Sequence, residues 1–161
     1  MEWAIRDAFL ENSEIDEQMF FCQEWYSQLE NSTHFALYSS FKTCLECERY
    51  IKLIDKNNFR KALARFRLGV SEINSHRHRF SSSAVARQCP FCPGVLEDEA
   101  HVVYICPSYV ELRQKYLDRD RAGDWQAQLW QLFSSNDESE IKKFCTFVFL
   151  LLEKRRLMVS Q

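Results

Sequence analysis

Four residues in the middle of the chain have the types and spacing to hold a metal ion: Cys89, Cys92, His101 and Cys106. Two residues separate Cys89 from Cys92, eight separate Cys92 from His101, and four separate His101 from Cys106. Thiolates two residues apart can grip one ion from a tight turn, and "CPFCPG" supplies the turn through Pro90, Pro93 and Gly94. Three thiolates and an imidazole complete a tetrahedral zinc set, so the spacing predicts bound Zn2+. With every position filled by protein, no place is left for water or substrate, and the ion is a staple for folding rather than a catalyst. Closed zinc sites in small fingers contribute about 10–16 kcal/mol, against about 5–15 kcal/mol for the net stability of a whole domain. The segment is therefore expected not to fold without its metal.

The second half of the set constrains the backbone. At about 100° per helical residue, His101 and Cys106 would point about 140° apart on a helix, and on a strand their odd separation puts them on opposite faces. Both can reach one ion if the chain bends between them or if Cys106 lies just past a helix end. Pro107 favours the helix end, because a residue before proline is pushed out of the α region. A second pair, Cys44 and Cys47, has no turn residue beside it and shares the face of Ile51 and Ile54, which predicts two buried helix cysteines. His34, His76 or His78 could complete a second site there, but their spacings match no specific pattern. Cys22 and Cys145 fall on apolar helix stripes and are expected in a core.

Elements must position these groups. In 161 residues, 46% hydrophobic, there is material for one domain or one with a small appendage. Only three glycines and three prolines argue for helices over a turn-rich sheet fold. The expected class is all-α, a helical domain with a small embedded Cys3His module. Its parts are a helical region over 1–85, the zinc module over 86–118, and helices over 119–161 packing on the same domain. Ile15, Met19, Cys22, Tyr26 and Leu29 recur at helical spacing, with Ser13 as a cap. A second helix is expected from Phe41 to Ile54. In a third, "NNFRKALARFRLG", Phe59, Ala62, Leu63 and Phe66 form the buried face and Gly69 the C-terminal cap. Residues 71–88 show no period and read as a connector. Ser108 with Glu111, and Ser135 with Glu138, have capping-box spacing before later helices. Trp125, Leu129, Leu132 and Phe133 turn inward on one of these, and "EKRR", from Glu153 to Arg156, complements the dipole of the last. The apolar run Phe144–Leu152 is shorter than the about 20 residues a membrane span needs. No membrane association is expected, and no small-molecule substrate.

Charge is uneven. Residues 1–30 carry eight acids against Arg6, and residues 57–88 carry seven bases against Glu72, although the net charge is −2. The bases are Arg60, Lys61, Arg65, Arg67, Arg77, Arg79 and Arg87, directly ahead of the cysteines. Such asymmetry is the footprint of a nucleic-acid contact, though a solvated helix face produces it too. These seven are the candidate phosphate contacts. Phe91, between the first two thiols, is a candidate stacking residue for an unpaired base and equally an ordinary packing residue. The absence of a basic-then-apolar leader after Met1 and the odd count of seven cysteines point to a reducing, intracellular setting, nucleus or cytoplasm. No acid pairs with a histidine or an open metal position, so no catalytic residue is assigned and no enzyme is expected; His76 and His78, beside Arg77 and Arg79, suit phosphate contact better than base catalysis.

The order "RKALARFRLG", "INSHRHRF", "CPFC", "EDEAH", "CPSYVELRQKYL" resembles the C-terminal zinc-binding region of reverse transcriptases from non-long-terminal-repeat retrotransposons. Arg65, Arg67, Cys89, Cys92, His101, Cys106, Pro107, Tyr109 and Arg113 match that pattern, and the likeness covers Asn58 to Leu117. The helices before it are more weakly similar to the connector between polymerase and zinc region. The resemblance implies binding of RNA or DNA. Neither the aromatic–x–Asp–Asp motif of the polymerase nor the Pro–Asp motif of the family's endonuclease occurs, so the chain reads as the tail of such an element, detached or kept as a separate small protein. The alternative is a helical protein-interaction module, with an acidic N-terminal region, Trp3, Trp25, Trp125 and Trp130, a protein partner and a purely structural zinc.

Overall fold

The computed structural model describes residues 19–32, 36–42, 44–117 and 124–160. Ser13, Ile15 and His34 lie outside them. The chain divides into two compact units, Met1–Glu46 and Cys47–Gln161. The expected boundary at 85/86 thus separates segments that pack within one unit.

In the first unit, helix α1 includes residues 19–30 and α2 is Ala36–Phe41. Of the stripe expected on α1, Leu29 is buried and Cys22 half-buried, while Met19 and Tyr26 are exposed. The single helix expected from Phe41 to Ile54 is not formed. Helix α2 stops at Phe41, residues 44–48 are non-helical, and α3 is Arg49–Leu53. Glu48 takes ψ 130° and sends its carboxylate to Arg67, so a tertiary ion pair outweighs local helix preference. Cys44 and Cys47 consequently sit exposed, not on a buried helical face.

The second unit is built on α4 (Asn57–Arg67) and the 22-residue α8 (Glu138–Val159), which pack together. Leu63 and Phe66 of α4 are buried as their spacing predicts. Helix α4 ends in a Schellman motif: Val70 N–H donates to the Arg65 carbonyl at 2.9 Å and Gly69 N–H to the Phe66 carbonyl at 3.1 Å. Gly69 makes this possible with φ +65°, where a Cβ would be strained and would meet the Arg79 guanidinium at 3.2 Å. Helices α6 (Val110–Tyr116) and α7 (Trp125–Phe133) also lie against α8, and α5 is the single turn Asn74–Arg77. Phe144, Cys145, Phe147, Val148 and Leu151 of α8 are buried, which accounts for the long apolar run. No helix among the described residues is long and apolar enough to cross a membrane.

Local chemistry departs from expectation at two caps. Asp137, not Ser135, caps α8, accepting from Glu140 N–H at 2.7 Å. Ser108 caps nothing: Pro107–Tyr109 forms a 3-10 turn that runs straight into α6. The fold is mostly helical, with one correction to an all-α reading. Strands β1 (Gln88–Cys89) and β2 (Cys92–Leu96) form a two-stranded antiparallel sheet. Strand β1 has only two residues and β2 is exposed from Pro93 to Leu96, so neither carries a period-2 pattern that the sequence could show.

Candidate metal centre

The hairpin delivers the first two ligands. Cys89 and Cys92 face each other across the β1–β2 register, with Pro90 and Phe91 in the turn. Gly94, at φ +79°, then lets β2 leave in a conformation other residues disfavour.

The third and fourth ligands come from an unusual turn. Asp98 Oδ1 accepts from His101 N–H at 2.7 Å, three residues on, the bond of a helix N-cap. From His101 to Ile105 the chain then widens into a π-helical turn, closed by Cys106 N–H on the His101 carbonyl at 2.7 Å. A bond spanning five residues is the geometry that brings residues five apart together. Cys106 itself lies just past the end, extended at φ −56° and ψ 121°, with Pro107 next. Arg113, buried on α6, donates from Nη2 to the Cys106 carbonyl at 2.6 Å and fixes this ligand's backbone.

All four ligand atoms lie within 4.8 Å of one another. The Cys106 sulfur is 4.0 Å from that of Cys89 and 3.8 Å from that of Cys92. A tetrahedral ion bound to thiolates at about 2.3 Å would separate two sulfurs by about 3.8 Å. Both ring nitrogens of His101 are buried without a hydrogen-bond partner, which an ion at the centre would remedy for one of them. Burial lowers the His101 pKa, keeping the imidazole in the neutral form that ligates. Burial pushes the Cys89 thiol up to about 12, against hydrogen bonds from the backbone amides of Phe91 and Cys92, and burial likewise raises Cys92. A thiolate in such surroundings needs a cation beside it. The donor set thus fits a metal of zinc's preferences. Among the described residues this is the one Cys/His/carboxylate group of such compactness.

The seven bases do not share one fate. Arg67 is buried, paired with Glu48 at 2.8 Å, bonded to the Phe133 carbonyl, and packed over the Tyr50 and Phe133 rings at 5.4 and 5.5 Å. It holds α3, α4 and α7 together and leaves the set available to phosphate. Arg60 is half-buried and donates to the Ile51 carbonyl at 3.1 Å. Lys61 and Arg65 are exposed along an open groove of about 230 Å³, which Glu72 and Glu153 also line. Arg77 is exposed, and Arg79 and Arg87 are half-buried on the connector. Phe91 is half-buried and packs edge-on against Tyr109, centroids 6.2 Å apart. His76 is a core residue: Nδ1 accepts from Ser71 N–H at 3.2 Å, which places its proton on Nε2, against Glu99.

Sequence reasoning missed the groups that brace the centre. Glu97 is fully buried and receives both Nε and Nη2 of Arg155 at 2.8 Å, as well as Asn74 N–H at 2.6 Å. It ties the end of β2 to α5 and α8. A signal existed: Arg155 stands four residues after Leu151, on the stripe Phe144, Val148, Leu151. Asp98 also stood at N-cap distance from His101.

No family model matches the chain, and neither a curated protein nor a solved structure does.

Proposed function

We propose that the chain is a zinc-binding, nucleic-acid-binding module, akin to the C-terminal zinc region of non-long-terminal-repeat retrotransposon reverse transcriptases and without their catalytic activities. The observation that carries this reading is the convergence of Cys89, Cys92, His101 and Cys106 at the foot of a basic connector. The ion holds the hairpin and the π turn together, Arg77, Arg79 and Arg87 precede it in the chain, and Lys61 and Arg65 are exposed bases of α4. Filter binding of the zinc-loaded chain to RNA, single-stranded DNA and duplex across a salt series tests it. Affinity should fall steeply as salt rises, in proportion to the phosphates neutralised. Charge reversal at the exposed pair Arg65→Glu and Arg77→Glu should abolish association and leave the thermal midpoint unchanged. Association that is absent, or indifferent to salt, refutes the reading.

A second reading, a protein-interaction module with a structural zinc, has its own support: Met19, Phe20, Phe21 and Tyr26 on α1 are exposed by 40% or more.

A further inference from the structure

Residues 78–87 form a loop whose two ends are pinned. At one end α5 packs beside the 3-10 turn Val85–Arg87 at the other. Asn74 Nδ2 donates to the Gln88 carbonyl at 2.7 Å and Ser75 N–H to the Glu97 carbonyl at 3.2 Å, so α5 is tied to both sides of the hairpin. Within the loop, Ser81 N–H donates to the His78 carbonyl at 2.9 Å, and Ser83 N–H to Ser81 Oγ at 3.2 Å.

On this pinned loop the apolar side chains point the wrong way for folding. Phe80 is 74% exposed and Val85 71% exposed, the two highest values among the large hydrophobic residues described. Burying an aromatic ring is worth more to folding than burying almost any other side chain, yet this one is left in water. In the chain it is flanked by Arg77 and Arg79 on one side and by Ser81, Ser82, Ser83 and then Arg87 on the other, and the Arg79 guanidinium lies 6.0 Å from the Phe80 ring centroid.

We infer that this loop is a stacking platform for an unpaired base, with Phe80 as the ring that stacks, so that the nucleic acid bound is single-stranded. The inference rests on the function proposed above and names its substrate class. Its logic is chemical. A phenyl ring has no donor or acceptor to read a base edge in a groove, but it offers a π face to any base that is not already stacked in a duplex. The arginines supply the complementary charge for the phosphates on either side of that base. A loop already held at both ends loses little further entropy on binding. Phe91, the stacking candidate named from sequence, is half-buried against Tyr109, whereas Phe80 is 74% exposed.

Fluorescence anisotropy of the zinc-loaded full chain tests this with three probes of equal length: a single strand, the same strand with a central abasic segment, and a duplex. The single strand should bind tightest, and removing the bases should weaken it. Phe80→Ala should weaken single-strand binding by roughly 5- to 150-fold, the loss of one stacked base. It should leave duplex binding and the thermal midpoint unchanged, and Phe80→Trp should keep wild-type affinity. If Phe80→Ala binds the single strand as wild type does, or if the abasic probe binds as tightly as the intact one, the stacking inference is wrong while the parent reading stands. Salt-insensitive or absent binding of all three probes removes both.

Discussion

Between Gln88 and Arg113 a set of polar and apolar groups turns inward together. Three thiols and an imidazole converge, Glu97 and Arg113 are buried, and Tyr109 is covered completely. In the stretch just before it, from Arg77 to Arg87, the reverse holds: Arg77, Phe80 and Val85 face water. The first region is closed in the chemical sense, since three thiols and an imidazole would fill every position of a tetrahedral ion and its arginine is engaged with a carbonyl. The second is open. The difference separates bracing from exposure, and it shows that residue type does not decide which an arginine does: Arg67 and Arg113 brace, while Arg65 and Arg77 face solvent.

The contrast can be broken at graded cost. Cys106→Ala should be the most damaging substitution, removing the ligand shared by hairpin and π turn. Metal analysis should find no zinc bound, and the region should lose its amide dispersion in NMR spectra, in keeping with the about 10–16 kcal/mol such sites contribute. Glu97→Gln comes next. It leaves the Arg155 guanidinium buried without its counter-charge, and unfolding of the metal-bound protein should lose about 3–5 kcal/mol; Glu97→Leu with Arg155→Met should recover much of that. Gly69→Ala follows, at about 1–2 kcal/mol for a left-handed residue with a Cβ, read as a lower denaturation midpoint. Smallest is Arg65→Glu, expected within about 0.5 kcal/mol of wild type because the side chain faces water. A stability loss at Arg65 as large as that at Glu97 would erase the distinction between the two regions.

How much of this was legible in the sequence follows from how local each feature is. The clustering of Cys89, Cys92, His101 and Cys106, the tight turn and the position of Cys106 past a helix end could be read from spacing and from Pro107, because each depends on neighbours a few residues away. The helix α4, its buried face and its glycine cap were legible for the same reason. The π turn was not, since nothing in "HVVYIC" distinguishes a bond spanning five residues from one spanning four. The break between α2 and α3 depends on Glu48 meeting Arg67, a contact between elements. Arg67 did not stand out from its neighbouring bases because charge alone does not distinguish an inward slot from an outward one. Arg67, Arg113 and Arg155 each stand four residues after a buried apolar residue, Leu63, Tyr109 and Leu151, and so occupy inward slots of their helices. A cation at an inward slot needs a specific partner, and each has one.

Whether the four converging side chains hold one metal ion decides how the hairpin and π turn are joined. Native mass spectrometry of the purified chain, never exposed to chelator, tests it most directly. A mass increment of one zinc per chain is expected, lost in Cys106→Ala. A chain that carries no metal and still shows a folded charge-state distribution would contradict it.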